Sequence, residues 1–231
     1  MEEYKAFLTR VKLSKKIGFT EFEIPKNIDK LFNINSFIEI IKSFNLEVFF
    51  GWWAEESSCS YVILSFWEYP DSIVEDYAEN VPEAIRLLKR EPKLDFEDWD
   101  SYNQRRKDAQ VVILKNVNLL LTELQKISVF NGGVFTMPSS RPLIQEVFKE
   151  IWKNLNFLEG QTIKQIECKS FSESCENARK KMQFQEHDQK WKNCIIIDDI
   201  LWWWWSLLHV NRNIGNKPNL FIFFAHDKKN R

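Results

Sequence analysis

A chain of 231 residues suits one large domain, or one domain with an appendage. Its 32 Lys and Arg stand against 33 Asp and Glu for a net charge of −1, which argues against a function driven by bulk positive charge, although a local basic patch is compatible with it. Hydrophobic residues at 44% exclude a disordered chain, no apolar run reaches the roughly 18 residues that span a bilayer, and no signal-peptide pattern is present, so a cytosolic protein without membrane contact is expected.

Near the start, Phe19, Phe22 and Ile24 nearly alternate, which suits a short strand stopped by Pro25. Asn27 or Asp29 can cap the next element. Phe37, Ile38, Ile40, Ile41 and Phe44 fall at helical spacing, predicting a helix over 34–44. LEVFFGWW at 46–53 and YVILSFW at 61–67 predict two strands joined by a polar hairpin loop at 54–60. Pro70-Asp71-Ser72 opens a helix, and Pro82 opens or restarts another through Leu88. Residues 89–107 are charged and poor in aliphatics, which suits a loop or linker; a helix is expected from Ala109 to Ile127.

The second half has a different rhythm. Val134–Met137 is a short strand, and 142–155 an amphipathic helix whose inner side carries Leu143, Ile144, Val147, Phe148, Ile151 and Trp152. Residues 163–166 suit a strand, and the basic stretch 177–185 a helix. Cys194–Asp198 is a continuous apolar run ending in acid, as in a strand buried on both faces. A helix over 201–210 and a strand over 220–225 complete the pattern. Alternating strands and helices imply parallel pairing with right-handed crossovers.

Cys59, Cys168, Cys175 and Cys194 contain no C-x2-C pair, and His187, His209 and His226 form no paired metal-ligand spacing; reduced, mostly buried thiols are expected. No nucleophile–base pair is readable. The informative segment is NCIIIDDILWWWWSLLHV, 193–210. Asp198 and Asp199 close a buried strand, where α/β folds place their sites. Adjacent acids there can take the hydroxyls of a ribose, directly or through Mg2+. Alternatively they are structural, one facing each way.

CIIIDDIL at 194–201 resembles the signature strand of the type I phosphoribosyltransferases. VFTMPSS at 134–140, the helix after it, and SFSESCENARKKMQFQ at 170–185 follow in the family's order, the last being similar to the competence-associated branch. The resemblance covers roughly 110–231. It implies a phosphoribosyltransferase-like parallel sheet flanked by helices over 108–231, with an α+β N-terminal region over 1–107. It also implies catalytic and Mg2+-binding roles for Asp198 and Asp199, and diphosphate contacts from Ser139, Ser140 and Arg141, which otherwise form a turn and helix start.

One departure is informative. The family's phosphate loop depends on small residues that expose backbone N–H groups. Here it is Trp202, Trp203, Trp204, Trp205 and Ser206, in a chain with only 6 glycines. Ser206 is the remaining phosphate-binding hydroxyl, and binding of phosphoribosyl diphosphate (PRPP) is expected to be impaired. Four consecutive indoles cover every side of a helix, so they pack on another part of the chain, meet a protein partner or stack on bases. The expected function is a divergent phosphoribosyltransferase-like binding or regulatory subunit of a larger complex, with a nucleotide or sugar phosphate as ligand. The alternatives are an active Mg2+-dependent transferase or glycosidic-bond-cleaving enzyme, and single-stranded nucleic-acid binding through exposed Trp.

Overall fold

The computed structural model describes residues 12–14, 28–51, 61–71, 78–89, 93–130, 134–137, 141–154, 193–201 and 219–227. Its strands are β1 (Lys12–Ser14), β2 (Glu47–Gly51), β3 (Tyr61–Ser65), β4 (Val134–Thr136), β5 (Ile195–Leu201) and β6 (Asn219–His226). Its α-helices are α1 (Ile34–Ser43), α2 (Val81–Lys89), α3 (Trp99–Ile127) and α4 (Pro142–Asn154). The six strands form one mixed sheet in the order β1-β2-β3-β6-β5-β4. β3, β6, β5 and β4 are parallel neighbours, while β1 and β2 add an antiparallel edge.

Local chemistry explains the boundaries. Asn33 caps α1 by accepting from Ser36 N at 3.3 Å, a task the sequence pattern had placed on Asn27 or Asp29. At its other end Asn45 takes a left-handed conformation, φ 50. Asn45 N then donates to Lys42 O at 3.2 Å, and Leu46 N to Ile41 O at 2.9 Å. This is the paired closure that usually uses glycine; in a glycine-poor chain Asn supplies it. α2 starts on a reciprocal box: Asn80 Oδ1 accepts from Glu83 N at 3.0 Å, and Glu83 Oε2 from Glu79 N at 2.8 Å.

Three expectations need correction. Residues 99–107 are not linker: α3 begins at Trp99, because Asp98 caps it by accepting from Ser101 N at 2.7 Å. The 107/108 position lies inside this helix, and strands from both sides of it share the sheet. Leu201 belongs to β5 rather than to a following helix. The expected strands around Phe19 and over 163–166, and the expected helices over 177–185 and 202–210, lie outside the described residues.

Alternate strand positions put Val48, Val62, Leu64, Leu220, Ile222, Ile195 and Ile197 in one core with all four helices. α2 packs on α3 and on β6, and α3 packs on α1 and α4. The opposite face carries Phe49, Ile63, Phe221 and Ile196, each almost fully buried. Both faces are therefore covered, as continuous apolar strands require. Cys194 is buried and forms no disulfide; the other cysteines lie outside the described residues.

Candidate functional site

The acids stand inside β5, as the fourth and fifth of its seven residues, with Ile200 and Leu201 buried after them. This corrects their expected place at the strand's very end. The pleat also slips here. Ile197 and Ile200 both belong to the helix-side core, as do the adjacent Phe224 and Ala225 on β6; strict alternation would part each pair. The backbone N–H groups at the slip turn to carboxylates. Asp199 N donates to Asp198 Oδ1 at 2.8 Å, and Ile200 N to Asp199 Oδ1 at 2.7 Å.

The two acids then meet different circumstances. Asp199 lies on the helix side, where Lys89, the last residue of α2, places Nζ 2.6 Å from its Oδ2. Asp198 pairs with Phe223 on β6 and keeps its carboxyl beside that of Asp199. It is half-buried, the least buried residue of β5, and loss of hydration at its carboxyl pushes its pKa well above the ordinary 3.8. Repulsion from Asp199 and a hydrogen bond with its side chain add to that rise, while the Asp199 N–H bond and Lys89 oppose it.

Register extends the picture. Glu47 pairs with Ser65, Ser65 with Phe223, and Phe223 with Asp198. One row across β2, β3, β6 and β5 thus carries three polar side chains toward the carboxyl ends of the parallel strands. Just beyond it, His226 ends β6. Its Nδ1 is 3.0 Å from Ser65 Oγ, its Nε2 is 2.9 Å from Glu47 Oε2, and its ring meets the Phe49 ring edge-on at 5.5 Å. Hydroxyl, imidazole and carboxylate in series resemble a nucleophilic triad. Yet Ser65 and His226 are 0% exposed, so no substrate reaches them here. The cluster acts as a polar clamp on the ends of β2, β3 and β6.

The sequence missed Glu47, Ser65, His226 and Lys89. The usable signal was a lone polar residue inside each of two apolar strands, LEVFFG and YVILS, since a buried polar group needs a partner. The partner, His226, lies 161 residues from Ser65, and no local pattern reveals it.

Of the other expected site residues, Arg141 is exposed and precedes α4; its carbonyl accepts from Ile144 N at 3.0 Å and Gln145 N at 3.1 Å. Pro142 is the first helical residue, as the turn-and-helix-start alternative requires. The chain leaves β4 beside the acids, since Met137 N donates to Ile197 O at 2.8 Å. Ser139, Ser140, Trp202, Trp203, Trp204, Trp205 and Ser206 lie outside the described residues. The acid pair is not free for Mg2+, because the Lys89 ammonium already holds Asp199. Among the described residues, no group of three or more His, Cys, Asp and Glu side chains gathers as a metal set, and no helix is long and apolar enough to cross a membrane.

No family model, no curated protein and no solved structure matches this chain.

Proposed function

We propose that this chain is a divergent phosphoribosyltransferase-like protein, acting as a binding or regulatory subunit that holds a nucleotide or sugar phosphate beside β5. The observation that carries the reading is the unequal state of the acid pair on the middle strand of the parallel set β4-β5-β6. Lys89 engages Asp199, so Asp199 serves as a fixed support. Asp198 is left with a carboxyl that burial and its neighbour disfavour as an anion. Ligand hydroxyls that donate to it would relieve that deficit. Met137 lies beside the same strand, its N–H donating to Ile197 O, and the family resemblance assigns the ligand's phosphate to Ser139 and Ser140, which follow it in sequence.

The test is calorimetry with PRPP and with nucleoside monophosphates, each with and without Mg2+, together with an assay for diphosphate release. Saturable binding that does not depend on Mg2+, is lost in Asp198→Asn and comes without diphosphate release is expected. Absence of binding at millimolar ligand would end the reading. Diphosphate release would favour the active transferase instead.

A further inference from the structure

The sharpest exposed apolar feature among the described residues is the approach to α3. Phe96 is 82% exposed and Trp99 66%. Burying such a side chain is ordinarily worth about 1.5–3 kcal/mol, and both forgo it. Their mounting is firm. Glu97 N donates to Leu94 O at 3.0 Å, closing a turn that carries Asp95 and Phe96. Arg105 grips the Glu97 carboxylate with two nitrogens, at 2.9 and 2.8 Å, and Leu94 N donates to the same carboxylate at 3.0 Å. Lys93 donates to Leu94 O at 3.1 Å and also to Glu97 O, and its ammonium lies 5.7 Å from the centre of the Trp99 ring. Trp99 meets Tyr102 edge-on at 5.9 Å.

Charge around the two rings is sorted. The cations turn inward: Lys93 to backbone carbonyls, Arg105 to Glu97, and both Arg105 and Arg106 over the Tyr102 ring at 5.5 and 5.0 Å. The acids turn outward: Asp95, Asp98 and Asp100, interleaved with Phe96 and Trp99, are all exposed. Such a surface repels phosphate backbones and anionic lipid. It complements a basic one.

We propose that Phe96 and Trp99 form a pre-organised docking knob for a protein partner whose contact face is an apolar pocket ringed by Lys and Arg. Two aromatics on a rigid turn are the anchors from which protein interfaces draw most of their energy. The three acids give orientation and encounter rate. The proposal is independent of the nucleotide reading, because none of these residues lies on β5.

The probe is a fluorescently labelled amphipathic Lys/Leu helical peptide, titrated with the full chain and followed by anisotropy. A Glu/Leu peptide of the same pattern, oligo(dT) and phosphatidylserine vesicles run beside it. Saturable binding of the Lys/Leu peptide alone is expected. It should weaken about tenfold or more in Phe96→Ala/Trp99→Ala. It should weaken a few-fold, with loss of salt dependence, in Asp95→Asn/Asp100→Asn, which leaves the Asp98 cap intact. Equal affinity of the wild type and both variants for the Lys/Leu peptide would overturn the proposal. So would aromatic-dependent binding of oligo(dT) or vesicles, or a dimer in sedimentation that the aromatic variant abolishes.

Discussion

Glu47 and Asp198 stand at opposite ends of one register row, and their carboxylates meet opposite circumstances. At the β2 end, Glu47 faces an imidazole that a serine hydroxyl backs from the other side. The hydroxyl and Nδ1 meet at hydrogen-bond distance, and Nε2 lies 2.9 Å from the carboxylate without an aligned hydrogen bond. At the β5 end, Asp198 accepts from the N–H of the next residue and sits beside a second acid. Phe223, itself buried, separates the two ends. Polar side chains inside an apolar sheet must be neutralised from somewhere. The β2 end sets a carboxylate against an imidazole, without an aligned hydrogen bond between them; the β5 end sets two acids side by side.

The largest effect should come from breaking the β2 end. His226→Ala leaves the Glu47 carboxyl buried opposite a void and should cost about 3–5 kcal/mol in chemical denaturation. Glu47→Leu/His226→Phe removes both partners together and should cost markedly less than the single change. A cost under about 1 kcal/mol for His226→Ala would show that the cluster does not hold the strand ends. Next comes Lys89→Met, which strips Asp199 of its ammonium. About 1–3 kcal/mol is expected, since Lys89 and Asp199 keep some contact with water. In a double-mutant cycle with Asp199→Asn the losses should not add.

The β5 end should respond in the reverse direction. Asp198→Asn keeps the oxygen that accepts from Asp199 N and removes a disfavoured anion. A carboxyl whose folded pKa is raised binds its proton more tightly in the native state. Its contribution is therefore intact below the ordinary value of 3.8 and is lost as pH rises through the higher folded value. The variant should thus be more stable than wild type by about 1 kcal/mol at neutral pH, and the gap should close near pH 3.5–4. Parallel denaturant curves at the two pH values check this. A variant that gains stability while losing ligand is the signature expected of a functional acid.

The periodic parts of the molecule were legible in the sequence. Phe37, Ile40 and Ile41 announced α1, and Val48, Val62 and Leu64 announced two strands, because burial of one face writes itself at the element's own period. α4 and the parallel set β4, β5 and β6 followed from the alternation of types. The start of α3 was not legible: charged residues dominate its first turns, so one side chain, Asp98, decides it instead of periodicity. The acid pair was visible as a motif, but its asymmetry was not. That asymmetry depends on Lys89, 110 residues away, and on a pleat slip that no spacing rule encodes.

The smallest effect belongs to Thr136, the last residue of β4, beside Ile197. It is 0% exposed, and its Oγ1 is buried without a hydrogen-bond partner among the described residues. An apolar side chain of the same shape keeps the packing and removes the desolvated hydroxyl. Thr136→Val should therefore raise stability, by up to about 1 kcal/mol. The comparison between the two ends sharpens here. Glu47→Gln, at the β2 end, should weaken the clamp, whereas Thr136→Val, beside the β5 end, should stabilise the sheet. If Thr136→Val instead destabilises the sheet and also weakens nucleotide binding, then the hydroxyl belongs with Asp198 in the site, and the polar deficit beside β5 spans two strands.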